Sequence, residues 1–184
     1  MLYNRSMILN FSNPEKNIEH LHLKEGDVVA DFGSGSGHYV YPVSEAVGES
    51  GKVYAVDIQK DLLMKLQKDV LQKGLVNVET VWGDAEIVGG SKLQTGVIDV
   101  VIASNILFQV EDRVGLVNEC KRVLKSDGKV YLIDWSESFG GLGPQTENVV
   151  DEPTARRLFE QGGFVLKEVI PAGNHHYGMI FTKA

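Results

Sequence analysis

Cysteine is nearly absent. The 184-residue chain holds one, Cys120, which excludes an intramolecular disulfide framework and a cysteine-rich zinc site. It falls within a helical pattern and reads as a small core residue. Basic runs are missing as well. The formal net charge is -7, and no dense Lys/Arg stretch supplies the electropositive face that a long nucleic acid draws. No uninterrupted apolar run reaches transmembrane length. Met1 to Ser12 lacks the basic-then-apolar layout of a secretory signal. Repeats, low-complexity tracts and interdomain linkers are missing too. What remains is an ordinary globular composition, 43% hydrophobic and 23% charged, in a chain long enough for a substantial core. The expectation is one cytoplasmic domain over residues 1–184, with 1–13 as an N-terminal arm, and with neither nucleic acid nor membrane as partner.

The chain is organised around Val28-Val29-Ala30-Asp31-Phe32-Gly33-Ser34-Gly35-Ser36-Gly37. Its apolar start with β-branched valines predicts a short buried strand. Three alternating glycines follow, where positive φ and a missing side chain let backbone approach a ligand. Val40, Val43, Ala46 and Val47 then recur at helical spacing. The glycines therefore occupy a strand-to-helix turn, the place where open α/β sheets bind nucleotide-like ligands. Upstream, Asn13-Pro14 reads as a helix start. Residues 1 to 12 carry Tyr3, Met7, Ile8, Leu9 and Phe11, too apolar for a free tail, and are expected to pack on the domain or cover its site.

Downstream, strand and helix patterns alternate. Lys52 to Ile58 predicts a second strand, followed by a helix with Leu62, Leu63, Leu66, Val70 and Leu71 on one face. Asn77 to Trp82 is a third strand, and residues 87–96 a loop. Val97 to Ala103 is a fourth, emptying into Ser104-Asn105. A helix with Val114, Val117, Cys120, Lys121 and Leu124 on its inner side closes at Ser126-Asp127-Gly128. Lys129 to Trp135 is a fifth strand, and 136–150 the longest irregular stretch. Pro153 opens a last helix. Phe164 to Pro171 and His175 to Thr182, separated by Ala172-Gly173-Asn174, predict an antiparallel hairpin. Acids stand at three successive strand ends: Asp31, Asp57 and Asp84. Asp57 is placed to accept from both hydroxyls of a ribose held by the first turn, with Ile58 against an adenine face. Taken alone, Asp57 reads equally as a helix N-cap and Asp84 equally as a turn residue.

This order, with Asp31-x-Gly33-x-Gly35-x-Gly37, Asp57 and Asp84, resembles the class I S-adenosylmethionine-dependent methyltransferases across residues 14 to 184. Leu116 to Asp134, and Arg122-Val123-Leu124-Lys125-Ser126-Asp127-Gly128 within it, is most similar to the small-molecule branch with the ubiquinone and menaquinone methyltransferases. Ser126-Asp127-Gly128 replaces the usual proline-glycine pair there. The resemblance implies an α/β Rossmann-like methyltransferase domain. Its sheet has seven strands in the order 3-2-1-4-5-7-6, only the last antiparallel, with helices on both faces. It implies S-adenosyl-L-methionine as cofactor. Gly33, Gly35 and Gly37 would approach its methionine part, and Asp31 its amino group. Asp57 would hold the ribose, and Asp84 with Ala85 would face the adenine. Ser104 and Asn105 would line the floor near the methyl group.

The implied reaction is in-line displacement at the methyl carbon by a small-molecule acceptor. A sulfonium is already an activated leaving group, so positioning and water exclusion supply much of the rate. A base is needed only for a weakly acidic acceptor. His175 and His176, at the hairpin turn expected beside the cofactor, are candidates, His175 first; the competing reading is a solvent-facing turn. Strand alternation forbids both from pointing into one pocket. Candidate acceptor-pocket residues are Tyr3, Phe11, Tyr39, Tyr41, Phe108, Trp135, Phe139 and His175. Ser104-Asn105-Ile106-Leu107 lacks the Asn/Asp-Pro-Pro-aromatic pattern of amino methylation on adenine or glutamine. One cysteine argues against arsenite methylation, and no residue cluster predicts a metal. The alternatives are a noncatalytic S-adenosylmethionine-binding protein and an NAD-linked oxidoreductase. The G-x-G-x-G spacing, Asp84 and the hairpin disfavour the oxidoreductase.

Overall fold

A computed structural model describes residues 12–141 and 143–184. Of the arm over residues 1–13, only Ser12 and Asn13 lie among them; the rest, with Tyr3 and Phe11, lies outside the described residues. Seven strands form one sheet: β1 (Val28–Phe32), β2 (Lys52–Asp57), β3 (Val78–Trp82), β4 (Ile98–Ser104), β5 (Leu124–Trp135), β6 (Phe164–Pro171) and β7 (His176–Lys183). Their order is β3-β2-β1-β4-β5-β7-β6. The pairs among β1 to β5 are parallel, and β7 runs antiparallel to both β5 and β6. Five helices are described: α1 (Pro14–Asn17), α2 (Val40–Val47), α3 (Lys60–Gln72), α4 (Arg113–Val123) and α5 (Glu152–Gln161).

Side chains alternate across a strand, and that alternation splits the core in two. Val29, Val53, Ala55 and Ile102 pack on one face with Val40, Val43 and Val47 of α2 and Leu66 and Val70 of α3. Ala30, Phe32, Val56 and Val101 pack on the other with Leu116, Val117 and Cys120 of α4 and Ala155 and Phe159 of α5. A strand covered on both faces must read as a continuous apolar run, which is why Val28 to Phe32 looks as it does. Asn13 caps α1 by accepting from the Lys16 amide at 3.1 Å. Asp151 does the same for α5 from the Thr154 amide at 2.9 Å, with Pro153 in the first turn.

Three sequence expectations need correction. Leu71 is 73% exposed, because the buried stripe of α3 is centred on Leu63, Leu66 and Val70, and at about 100° per residue Leu71 turns away from it. Val114 is 60% exposed and Lys121 is exposed for the same reason. The stripe of α4 runs through Leu116, Cys120 and Val123, and both residues fall on its outer flank. Leu124 is not helical but opens β5, opposite Ile98. The next pair is Val100 with Lys129, so Ser126-Asp127-Gly128 lies in a register shift within the strand.

Candidate active site

The parallel strands end along one edge, where backbone from four of them converges. After β1, the amides of Gly33 and Ser34 both donate to the Val56 carbonyl of β2, at 2.9 and 3.1 Å. The first turn is thus tied to the neighbouring strand. Gly35 sits at φ +52, and a Cβ there would meet only the Gly33 carbonyl, at 3.9 Å. Its missing side chain leaves open space above the backbone. Gly37 differs: at φ +83, its Cβ would collide with Leu66 of α3. One glycine keeps a cavity open, and the other lets two helices close together.

The three strand-end acids have different environments. Asp57 Oδ2 accepts from the Gly35 amide and Oδ1 from the Gln59 amide, each at 2.8 Å. It is not the N-cap of α3, a position held by Gln59. Instead it ties the glycine turn to the end of β2, and a carboxylate has about four lone-pair sites, leaving capacity beyond these two bonds. Asp84 Oδ1 accepts from the Glu86 amide at 2.9 Å, shaping the loop after β3. Asp31 is 3% exposed and accepts no hydrogen bond from the described residues. Burial, with the nearby Asp57 charge as a lesser cause, pushes its carboxyl up to about 7.

Two adjoining cavities open along this edge. One, about 190 Å³, is walled by Val56, Ile58, Ala85, Ile106 and Val110, with Asp57 and Asp84 at its polar rim. The other, about 380 Å³, holds Asp31, Ser34, Tyr39, Ser104, Asn105, Trp135 and His176. Gly33, Gly35 and Gln109 line both. In the larger cavity Ser34 Oγ and Asn105 Oδ1 are buried without a hydrogen-bond partner among the described residues. Asn105 also holds the left-handed conformation at φ +54, and Gln109 Nε2 donates to its carbonyl at 2.7 Å. Strained backbone and orphaned polar atoms at one place mark a site built for something besides folding.

The wall opposite the glycine turn comes from β5 and β7. Trp135 and His176 face each other across the antiparallel ladder, their rings 4.3 Å apart, and both line the larger cavity. One position along, Asp134 and Tyr177 point to the other face. Asp134 accepts from the Leu107 and Trp135 amides, each at 2.8 Å, fixing the backbone that follows β4. Burial raises its carboxyl to about 6, with these backbone amides opposing the shift. Tyr39, 5% exposed, closes the cavity from α2. Its hydroxyl lies 3.0 Å from Asn17 Nδ2 and 3.4 Å from Ser12 Oγ, and burial raises its pKa.

All nine residues expected around the cofactor lie on this edge, and eight of them line the two cavities; Gly37 sits behind the turn against Leu66. Of the acceptor-pocket candidates, Tyr39 and Trp135 line the larger cavity. Tyr41 does not, because two helical steps from Tyr39 turn it outward, where Lys73 Nζ sits 4.4 Å from its ring. Phe108 lines neither cavity. His175, expected as the first candidate base, occupies the hairpin turn at φ +64. Its Nδ1 is 2.7 Å from Glu137 Oε1 and its ring stacks on Phe139 at 3.8 Å, so His176 is the histidine on the cavity wall. Sequence reasoning missed Ser34, Gln59 and Gln109 as lining residues and Asp134 as the brace beneath Leu107. The acid at the end of β5 was readable as another strand-end carboxylate, whereas Gln109 carried no signal. Among the described residues, no group of His, Cys, Asp and Glu is arranged to hold a metal ion.

A doubly wound sheet in this order, with a glycine turn and two acid-rimmed cavities at its carboxyl edge, defines a nucleoside-cofactor-binding α/β protein. A family model described as a methyltransferase domain matches residues 23–180, and the chain belongs to that family. A S-adenosylmethionine-dependent methyltransferase from Aquifex aeolicus superposes with a TM-score of 0.87 at 29% identity, over 100% of this chain and 95% of its own. A demethylmenaquinone methyltransferase from a Geobacillus strain is 28% identical over 67% of this chain and 51% of its own length. An arsenite methyltransferase from Aquipseudomonas alcaligenes is 31% identical over 61% and 34%. The chain therefore spans about half of the first of these curated relatives and about a third of the second. No helix among the described residues is long and apolar enough to cross a membrane.

Proposed function

We propose that this chain binds S-adenosyl-L-methionine and transfers its methyl group directly to a small-molecule acceptor, and that residues 1–184 act as one domain with 1–13 as an arm. The observation that carries the reading is Asp31, a buried carboxylate with no hydrogen-bond partner among the described residues, facing a cavity beside the open space at Gly35. Such a group calls for a cation, and the cofactor's methionine part brings an ammonium and a sulfonium. Ser34 Oγ and Asn105 Oδ1 supply further unspent polar capacity. In the smaller cavity, Asp57 would accept from the ribose hydroxyls. Asp84 and Ala85 would face the adenine, with Ile58 against its ring. Ser104 and Asn105 would form the floor near the reacting carbon.

When bound, the cofactor supplies an electrophilic methyl carbon with a leaving group that departs neutral. The chain's own residues then need to orient and to exclude water. Gly33, Gly35 and Gly37 hold the turn, while Tyr39 and Trp135 wall the larger cavity. No pyrophosphate cradle is required of the glycine turn, which separates this reading from an NAD-linked oxidoreductase. The acidic net charge of -7 and the absence of an Asn/Asp-Pro-Pro-aromatic segment favour a metabolite over nucleic acid as acceptor.

Calorimetry with S-adenosylmethionine, S-adenosylhomocysteine and NAD tests the cofactor: the first two bind and NAD does not compete. Saturable NAD binding, with no response to the others, overturns the reading. Labelled methyl transfer then separates acceptors. Metabolite extract is expected to take label faster than purified RNA or DNA, and the reverse order removes the small-molecule assignment. Binding without transfer to any acceptor supports the noncatalytic alternative.

A further inference from the structure

Two loops face each other across the smaller cavity, and one side chain joins them. Gly83, Asp84 and Ala85, after β3, form one wall; Ile106, Gln109 and Val110, after β4, form another. Glu86 follows directly on the first wall and lines the cavity itself. Its Oε2 accepts from the Glu111 and Asp112 amides, each at 2.7 Å, and these follow directly on Val110. Both bonds are charge-assisted and converge on one oxygen from adjacent peptide units. Asp84 orients Glu86 in turn, its Oδ1 accepting from the Glu86 amide at 2.9 Å. The Glu86 backbone meets the same region. Gly115 lies in the first turn of α4, where its amide donates to the capping Asp112 at 2.8 Å. A Cβ there would collide with the Glu86 carbonyl oxygen. Glycine inside a helix is less favourable than alanine, and what this position gains is the close approach of loop to helix.

Resting on the reading that puts Asp84 and Ala85 against the adenine, we propose that Glu86 is a positioning residue for the cofactor's base. It fixes the separation of the two walls and so restricts that base to an adenine whose amino group is unsubstituted. A substituent on that nitrogen has to displace the 83–86 loop. The loop cannot move outward without breaking the bonds to Glu111 and Asp112 and leaving the first turn of α4. The second wall is held differently at its other end. There the Leu107 amide donates to Asp134 at 2.8 Å, and Arg113 Nε donates to the Leu107 carbonyl at 2.7 Å. Those partners belong to β5 and α4 and tie the wall to its own side of the cavity, whereas Glu86 ties it to the wall across.

The test compares S-adenosylhomocysteine with its N6-benzyl derivative by calorimetry on the full chain. Failure of the first ligand to bind the parent counts against the cofactor reading and is seen before any variant is made. The parent is expected to bind the benzyl derivative at least about tenfold more weakly. Glu86→Ala is expected to bring the two affinities within about threefold, with the derivative gaining. Glu86→Asp, one methylene short of the two amides, is expected to narrow the preference in the same direction. Glu86→Gln, whose side-chain carbonyl still accepts, is expected to keep most of it. Hydrogen exchange in the ligand-free chain reads the tie independently of the cofactor. The Glu111 and Asp112 amides are expected to exchange at least about tenfold faster in Glu86→Ala, while the Leu107 amide, bound to Asp134, stays slow. A parent that binds both ligands alike overturns the proposal, as does unchanged exchange at Glu111 and Asp112. So does an equal loss of both ligands with the preference kept, which is what a merely structural role would give. If Glu86→Ala does not fold, Glu86→Asp decides on the same two readouts, and a parental preference there overturns the proposal.

Discussion

Asp31 carries opposed demands at the residue scale, one from folding and one from binding. Its folded-state pKa of about 7 stands above the ordinary 3.8. The folded state therefore holds a proton that the unfolded chain has already released between those values. The ionised side chain opposes folding in full above pH 7, and that opposition fades as pH falls toward 3.8. Asp31→Asn is expected to raise Tm at pH 8 and to bring little gain near pH 4, as read by thermal melts. The same variant is expected to lose at least tenfold in S-adenosylmethionine affinity, since a charged hydrogen bond contributes about 1.5–3 kcal/mol. If Asp31 ionises on binding, calorimetry at pH 7 in buffers of different ionisation enthalpy will show release of about half a proton. A buffer-independent heat contradicts a cation at Asp31. Asp57→Ala is expected to cost about tenfold to a hundredfold in affinity. Here part of the loss comes from releasing the Gly35 amide, which Asp57 holds at 2.8 Å.

At the scale of elements, the strand-to-helix turn and the loop over residues 87–96 are held by different means. Gly35→Val is expected to abolish cofactor binding while the fold survives, because the side chain projects into open space and the left-handed φ of +52 costs about 1–2 kcal/mol. Gly37→Ala is expected to do the reverse, lowering Tm through collision with Leu66, and Leu66→Ala in the same chain should recover part of the loss. Melts alongside calorimetry distinguish the two; equal effects of both on Tm and affinity would contradict separate roles. The loop after β3 is pinned by Glu119, fully buried on α4. It accepts from the Gly89 amide at 2.7 Å, from Ser91 and from Arg122. Burial alone would raise its carboxyl, but the bonds from Arg122, Ser91 and Gly89 outweigh it and hold the pKa below the usual 4.5. Its contribution is thus present above pH 4.5 and is lost as pH falls below that value. Glu119→Gln is expected to lower Tm at pH 7, with the deficit narrowing under acid conditions. Hydrogen exchange should place the loosening in residues 87–96, beside the smaller cavity.

At the scale of the whole molecule, function sits at one edge because the topology puts it there. Parallel strands β1, β2 and β4 deliver their carboxyl ends to the same side, and antiparallel β7 delivers its amino end. The cavity is therefore walled by residues as distant in sequence as Asp31 and His176. No local pattern contains that adjacency.

The sequence by itself determined the alternation of strands and helices and the glycine turn after β1, because those depend on local signals, whereas the sheet order followed only from the resemblance to a known family. Apolar runs, glycine turns and an acid at each strand end are read from neighbours, and Asp31, Asp57 and Asp84 fall where that reading puts them. Helix phase was less legible: Val114 and Leu71 fit an apolar stripe in the sequence, yet only packing against a particular sheet face chose which flank was buried. The acceptor side was decided by tertiary structure. Whether His175 or His176 meets the cavity depends on where the turn ends and β7 begins, a single-residue distinction made by pairing with Trp135. Tyr41 was separated from Tyr39 by helical rotation. Gln109 entered the site only because Gly33, Ile106 and the end of β4 converge. Strand ends are written locally, but the shape of a cavity between them depends on contacts across the sheet.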